Sequence, residues 1–419
     1  MHPDATALAA YLDGLGSDDE RAGLRAHILT CAACAARLER LRADARLISD
    51  TLAAARPSPD VRAAVRARRR RSSPAAWLGR GIGVAGALAA LLLFAILLGA
   101  GGTAGRMPDR LFVTDRRGGQ VVALDARGGT RLAAAQVGNE PTSIRYDAAR
   151  DRLYVMLRDA VVGVDPRTLQ VLDRWTAPQP LGGRQGLALD AQHGRLYVAQ
   201  PGGLAVLALG TPGLALVDTI ALGAAPAGLA TAPDGKTLYA LVPEQARLWT
   251  IALGGNTPRS SSLALAEPDA RSLGWLAMSR DGAAIYVLLA GAGGRPTIWR
   301  VDTAGRVVAA TRLAELPPPW DLEVLDTGQL AIPRGDGATG GVELVDGGTL
   351  ATSARLDPQR DQHHLAVGPG GAAFGLNFTS DSVTRFDTRQ HTIVWRTPER
   401  ADWQPWDAVY VSGGWRWPF

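Results

Sequence analysis

Three patterns of apolar and polar positions succeed one another along the chain. Up to residue 71 the apolar residues recur three or four apart, as at Leu8, Tyr11 and Leu12, at Leu24 and Ile28, and at Leu38, Leu41, Leu47, Ile48 and Leu52. That spacing puts them on one face of a helix and predicts a string of short amphipathic helices. From Gly81 to Gly105 the pattern is lost in an uncharged run, GIGVAGALAALLLFAILLGAGGTAG. From Asp109 onward the apolar residues come in short clusters divided by Gly, Pro and Asp turns, which predicts β-strands.

The helical stretch carries its own start and stop signals. The first set ends at Gly14-Leu15-Gly16, and Ser17-Asp18-Asp19-Glu20 forms a capping box that opens the next helix. A third helix is predicted from the cysteines to about Ala55, closed by Arg56-Pro57. Ser58 then caps a last helix with Pro59 at its first position, running over 60–71. Residues 72–80 form a basic linker.

The run 81–105 is long enough to span a bilayer, which takes roughly 20 apolar residues in a helix. Arg66, Arg68, Arg69, Arg70, Arg71 and Arg80 precede it, whereas Arg106 and Arg110 follow with Asp109 between them. Positive flanks stay in the cytoplasm. The expectation is a single-pass protein of the cell membrane, with its N-terminus cytoplasmic and residues 106–419 extracytoplasmic. Some eighty residues stand before the run, so a cleaved signal peptide is not expected.

The β region repeats. Leu111-Phe112-Val113, Leu153-Tyr154-Val155, Leu196-Tyr197-Val198, Leu238-Tyr239-Ala240, Ile285-Tyr286-Val287, Leu330-Ala331-Ile332 and Ala373-Phe374-Gly375 follow one another at separations of 42, 43, 42, 47, 45 and 43 residues. This is the period of four-stranded propeller blades. A further strand precedes most triplets, as in GLALDAQHGR, but the first triplet lacks one. The missing copy lies in PWDAVYVSGG, Pro405 to Gly414. Seven blades are therefore expected, with the C-terminal strand completing the first and removing the open edges. The expected fold class is multidomain: a small all-α zinc-binding domain over 1–71, one transmembrane helix, and an all-β seven-bladed propeller over 106–419.

Composition is that of folded protein, 47% hydrophobic and 20% charged, and the net charge is only +5. The densest basic run sits beside residues 81–105, where membrane topology accounts for it, so no direct nucleic-acid binding is expected. Only two cysteines occur, Cys31 and Cys34, both on the side read as cytoplasmic. Thiols stay reduced there, which favours a metal over a disulfide.

The candidate chemistry lies in HILTCAAC. His27, Cys31 and Cys34 are spaced H-x3-C-x2-C, a donor set suited to tetrahedral Zn2+. A closed site takes a fourth ligand, and His2 is the other His or Cys that precedes residue 81. A thioredoxin-like pair would share the C-x2-C spacing but needs a strand–helix context that this stretch lacks. The alternative is two small buried cysteines and a surface histidine.

His2, followed by YLDGLGSDDERAGLRAHILTCAACAARL, resembles the zinc-binding anti-sigma domain of membrane anti-sigma factors. Tyr11-Leu12-Asp13-Gly14, Ser17 and Glu20 stand in the places of that family's motif. The resemblance covers residues 2 to about 71 and implies a helical domain that wraps an extracytoplasmic-function sigma factor and blocks its binding to core RNA polymerase. Some relatives use an extra cysteine as a redox trigger; this chain has none beyond the pair. The β segments, as in VGNEPTSIRYDAARDRLYV and IALGAAPAGLATAPDGKTLYAL, resemble YVTN-type propeller repeats, a group that includes surface proteins and, among relatives, lactonase-like enzymes.

Within the propeller, Asp190, Asp234 and Asp281 precede triplets, and Asp125, Asp165, Asp302, Asp346 and Asp387 fall in the next hairpin. Recurrence with the repeat marks turn chemistry. His193 is expected exposed in one such turn. His363-His364 stands before the LAVGP strand, but no convergent ligands for a metal are evident. Trp175, Trp249, Trp299, Trp320, Trp403 and Trp406 are expected in blade packing, with Trp320 and Trp406, each in a Pro-Trp dipeptide, as candidates for one rim. No Ser-His-Asp or paired-carboxylate signature stands out. The expected function is a membrane-anchored anti-sigma factor, not an enzyme, that binds Zn2+ through His2, His27, Cys31 and Cys34. Its propeller would be a sensor or scaffold for an unknown outer ligand. A lactonase-like propeller enzyme and a cell-surface binding protein are the alternatives.

Overall fold

The computed structural model describes residues 108–413 apart from 184, 211–212, 254–258, 267–272, 291–294, 315–316, 358 and 378, together with 23–24, 27–28, 31 and 34–35. The chain divides into two units, Met1–Leu98 and Gly99–Phe419.

In the second unit the described strands form seven four-stranded antiparallel sheets. The apolar triplets fall in the second strand of each sheet, as in Arg110–Asp115, Arg152–Met156 and Arg195–Gln200. These strands are buried on both faces, which is why they read as continuous apolar runs rather than alternating ones. The outermost strands differ. Val171–Thr176 alternates exposed and half-buried positions, because only one of its faces meets protein.

Six sheets are built from four consecutive strands each, while the first takes its innermost strand from the far end of the chain. Pro405–Val411 pairs with Arg110–Asp115, setting Phe112 opposite Val409 and Leu111 opposite Tyr410. The other innermost strands are Ser143–Asp147, Leu187–Asp190, Gly228–Thr231, Leu273–Met278, Glu323–Val324 and His364–Val367. Each contacts the next in sequence, and His364–Val367 contacts Pro405–Val411, which in turn meets Ser143–Asp147. The contacts therefore run in a closed ring of seven.

The core is divided in the same way. Seven apolar clusters sit between successive blades, one of them uniting Leu111, Val113 and Leu124 of the first with Phe374, Leu376 and Val383 of the seventh. The C-terminal strand thus closes the ring both by hydrogen bonds and by packing.

The expected fold class needs correction. Among the described residues the fold is the β-propeller alone, with helical turns at 23–24, 27–28 and 34–35 in place of a helical domain. No helix among them is long and apolar enough to cross a membrane. The run 81–105 and the helices expected over 3–22 and 36–71 lie outside the described residues. Hydropathy and capping signals are local, whereas a helix of this length draws most of its stability from tertiary packing that a sequence pattern does not supply.

Candidate functional site

In the first unit the backbone N–H of Cys31 donates to the His27 carbonyl at 2.9 Å, and that of Ala35 to the Cys31 carbonyl at 3.0 Å. Both are i to i−4 bonds, with helical residues at 27–28 and 34–35 and Cys31 between them outside a helix. One ligand atom from each residue falls within 4.8 Å of the others. Cys34 is buried, and His27 and Cys31 are half-buried. Zn–S and Zn–N bonds of about 2.3 and 2.0 Å place ligands of one ion roughly 4 Å apart, so one nitrogen and two sulfurs at this separation suit a zinc ion. It is the one such group among the described residues. His2, the expected fourth ligand, lies outside them.

In the propeller the recurrent aspartates cap turns. Asp125 accepts from the N–H groups of Arg127 and Gly128, Asp165 from Arg167 and Thr168, and Asp387 from Arg389 and Gln390. Asp190, Asp234, Asp281, Asp302 and Asp346 do the same in their own turns. His193 is largely exposed, with Nδ1 2.8 Å from Asp190 Oδ2. These groups are committed to backbone geometry rather than to a ligand.

The channel axis is polar, a feature that reading the sequence missed. Asp321 Oδ1 accepts from Gln185 Nε2 at 3.0 Å, and Asp321 Oδ2 accepts from the backbone N–H of Leu365 at 3.2 Å. His364 Nδ1 lies 3.4 Å from the same oxygen. Opposite them Asp407 Oδ2 accepts from the Ile144 N–H at 3.0 Å and from Arg145 Nη1 at 3.1 Å. Burial pushes the Asp407 carboxyl above its usual range, against the pull of Arg145 and His364. Glu323 is pushed well above the ordinary carboxylate range, first by burial and then by Asp321. His364 is buried against Trp406, and His363 against Trp320 with Nε2 3.4 Å from Asp361 Oδ2. Pro319-Trp320-Asp321 and Pro405-Trp406-Asp407 are thus two copies of one motif that sends a carboxylate to the axis. The repeated tripeptide was the available signal.

The polar plug separates two cavities. Below it, where the inner strands end, a cavity of about 400 Å³ is lined by Arg145, Gln185, Thr231, Met278 and Glu323. Above it, where they begin, one of about 680 Å³ is lined by Arg116, Glu140, Arg158, Trp275 and Trp406 among others.

Comparison with known proteins agrees with both parts. Residues 5–35 match the family described as "Putative zinc-finger". No curated protein matches the chain. Among solved structures, the periplasmic gluconolactonase of Pseudomonas aeruginosa superposes with a TM-score of 0.58 at 17% identity, over 73% of this chain and 99% of that one. A Lactobacillus plantarum protein gives 0.58 at 19% identity over 73% and 100%. Hydrazine synthase of Kuenenia stuttgartiensis gives 0.55 at 17% identity over 64% and 89%. Likeness at this identity establishes the propeller fold and no activity.

Proposed function

We propose that the chain is an anti-sigma factor whose N-terminal zinc motif takes part in holding an extracytoplasmic-function sigma factor, with the propeller as its sensor or scaffold. The observation that carries the reading is the convergence of His27, Cys31 and Cys34 within 4.8 Å, inside a stretch that matches a zinc-finger family. Zinc held by these residues supplies folding free energy to a segment too small to bury a core, on the order of 10 kcal/mol in zinc-finger peptides. His2 is the proposed fourth ligand. Thiolate ligands persist in a reducing compartment, and together with the arginine excess before residue 81 this supports a cytoplasmic N-terminus and an extracytoplasmic propeller.

The test is recovery of a sigma factor with the full chain. Wild-type protein should carry about one zinc ion and retain the sigma factor; Cys31→Ser should lose both. A protein that carries zinc and retains no sigma factor would refute the reading.

A second reading, a propeller that hydrolyses lactones, has one observation in its favour. Asp321, Glu323, Asp407 and His364 converge on the channel in a fold shared with a gluconolactonase. Turnover of gluconolactone by the full chain, abolished in Asp407→Asn, would favour it over a non-enzymatic propeller.

A further inference from the structure

The upper mouth of the channel has an ionic wall between two cavities. The cavity of about 680 Å³ and a neighbour of about 530 Å³, lined by Arg117, Gly119, Gln136 and Asn139 among others, share Arg116, Glu140 and Arg158. Arg116 Nη2 donates to Glu140 Oε2 at 3.0 Å and Arg158 Nη1 to Glu140 Oε1 at 3.2 Å. One carboxylate thus stands between two guanidiniums. Their attraction holds the Glu140 carboxyl below its usual range.

Arg116 is held from a second side, and Arg158 is anchored at its backbone with its guanidinium largely exposed. The Arg116 guanidinium lies 4.3 Å above the centre of the Trp406 ring. Arg158 is tied at its backbone, its N–H donating to the Asn139 carbonyl and its carbonyl accepting from Leu181. Glu140, by contrast, sits in the left-handed region at φ 45° directly before Pro141, a position where proline favours extended backbone. The anion is the strained member of the site, and Arg116 is the cation held independently of it. Beside it the larger cavity offers an apolar wall of Leu181, Pro243, Leu273 and Trp275, and its volume is that of a small-molecule site.

We propose that this mouth binds a small organic carboxylate with an apolar body, its carboxylate gripped by Arg116 and Arg158 in the place Glu140 now fills and its body seated against Trp275 and Leu181. The Glu140 side chain shows that the gap accepts a carboxylate bridging two guanidiniums, the planar pairing at which arginine excels. Glu140 is then a built-in competitor, and binding releases it. The inference concerns the propeller alone and stands whether or not residues 5–35 hold zinc.

The test is calorimetric titration of the full chain with 1-naphthoate, and with 1-naphthalenemethanol as the uncharged match. Naphthoate should bind at one site, and the alcohol at least tenfold more weakly. Arg158→Gln, at a largely exposed side chain that folding does not depend on, should weaken naphthoate about tenfold, the worth of a charged hydrogen bond. Glu140→Gln should strengthen it severalfold, an effect opposite to that of damaging the site. Equal binding of acid and alcohol would overturn the proposal, as would naphthoate binding indifferent to Arg158→Gln. So would failure of naphthoate to bind both wild type and Glu140→Gln.

Discussion

Gln185 and Asp321 meet across the propeller: the Gln185 amide donates to Asp321 Oδ1 at 3.0 Å although 136 residues separate them. The same side chain accepts, through Oε1, the backbone N–H of Leu276 at 3.0 Å. One buried amide therefore ties the third blade to the fifth and sixth through the axis. The inner strands of the described residues make their main contacts with ring neighbours, so a bond across the centre opposes the shearing of one side of the ring against the other.

Gln185→Leu tests this tie. The substitution keeps the volume but leaves the buried Leu276 N–H without its partner, while Asp321 Oδ1 keeps only the Leu322 N–H at 2.8 Å. One unsatisfied buried group costs about 1–3 kcal/mol, and a loss in that range is expected. It should appear as a lower urea midpoint with unchanged slope. A loss below about 0.5 kcal/mol would mean that water replaces the amide and that the tie is dispensable.

A second buried interaction gives a sharper contrast. Arg334 Nε donates to Glu343 Oε2 at 2.6 Å, and both side chains are 1% exposed. Arg334 also reaches the Pro317 carbonyl, while Thr352 donates to the other Glu343 oxygen. Arg334→Met should cost about 3–5 kcal/mol, because it strands a carboxylate in the core. Arg334→Met with Glu343→Leu should recover most of that loss, since the pair's attraction does little more than offset its desolvation. Urea titration of the two variants beside wild type checks both statements.

The ring was legible in the sequence and its axis was not. Triplets such as Leu153-Tyr154-Val155 announce doubly buried strands, and the strand absent before Leu111 and present at Pro405 announces how the ring closes. Those signals are local or periodic. Asp407 and Ile144, bonded at 3.0 Å, are 263 residues apart, and no periodicity links a side chain to a backbone amide of the adjoining blade. For His363-His364, Asp361 stands two residues before the pair, but Asp321 emerges only when neighbouring blades are laid side by side. In the first unit H-x3-C-x2-C was legible because its three donors are close in sequence and recognisable by type. The helices and the membrane span expected around it rest on local pattern alone and fall outside the described residues.

The acids at the axis make stability depend on pH. Burial, then Asp321, raises the Glu323 carboxyl well above its usual range, with Arg145 opposing and Asp407 reinforcing. An acid raised in the folded state holds its proton there while the unfolded chain releases it. Its contribution is thus fully present below the unfolded value, ordinarily about 4.3, and is lost as pH climbs towards the folded value. Glu323→Gln cannot titrate and should gain on wild type as pH rises from 4 to 7. Urea midpoints of the two proteins at pH 4.5, 6 and 7.5 check this; parallel curves would show that Glu323 does not titrate in that window.

Thr114 and Asp407 hold the closing strand at its most demanding point. Thr114 Oγ1 accepts the Asp407 N–H at 2.9 Å and donates to the Asp407 carbonyl at 3.1 Å, both groups buried. Thr114→Val is nearly isosteric and removes both bonds, leaving a buried N–H unpaired at a cost of about 1–3 kcal/mol. The contact joins residues 293 positions apart, so it is expected to form after most of the blades. A contact made late is lost mainly from the unfolding side of the barrier. Unfolding of Thr114→Val should therefore be about fivefold to a hundredfold faster, while refolding changes by less than about twofold. Stopped-flow kinetics in urea separates the two limbs. A slowed refolding limb would show instead that the chain's ends meet early and that the ring closes before its blades are complete.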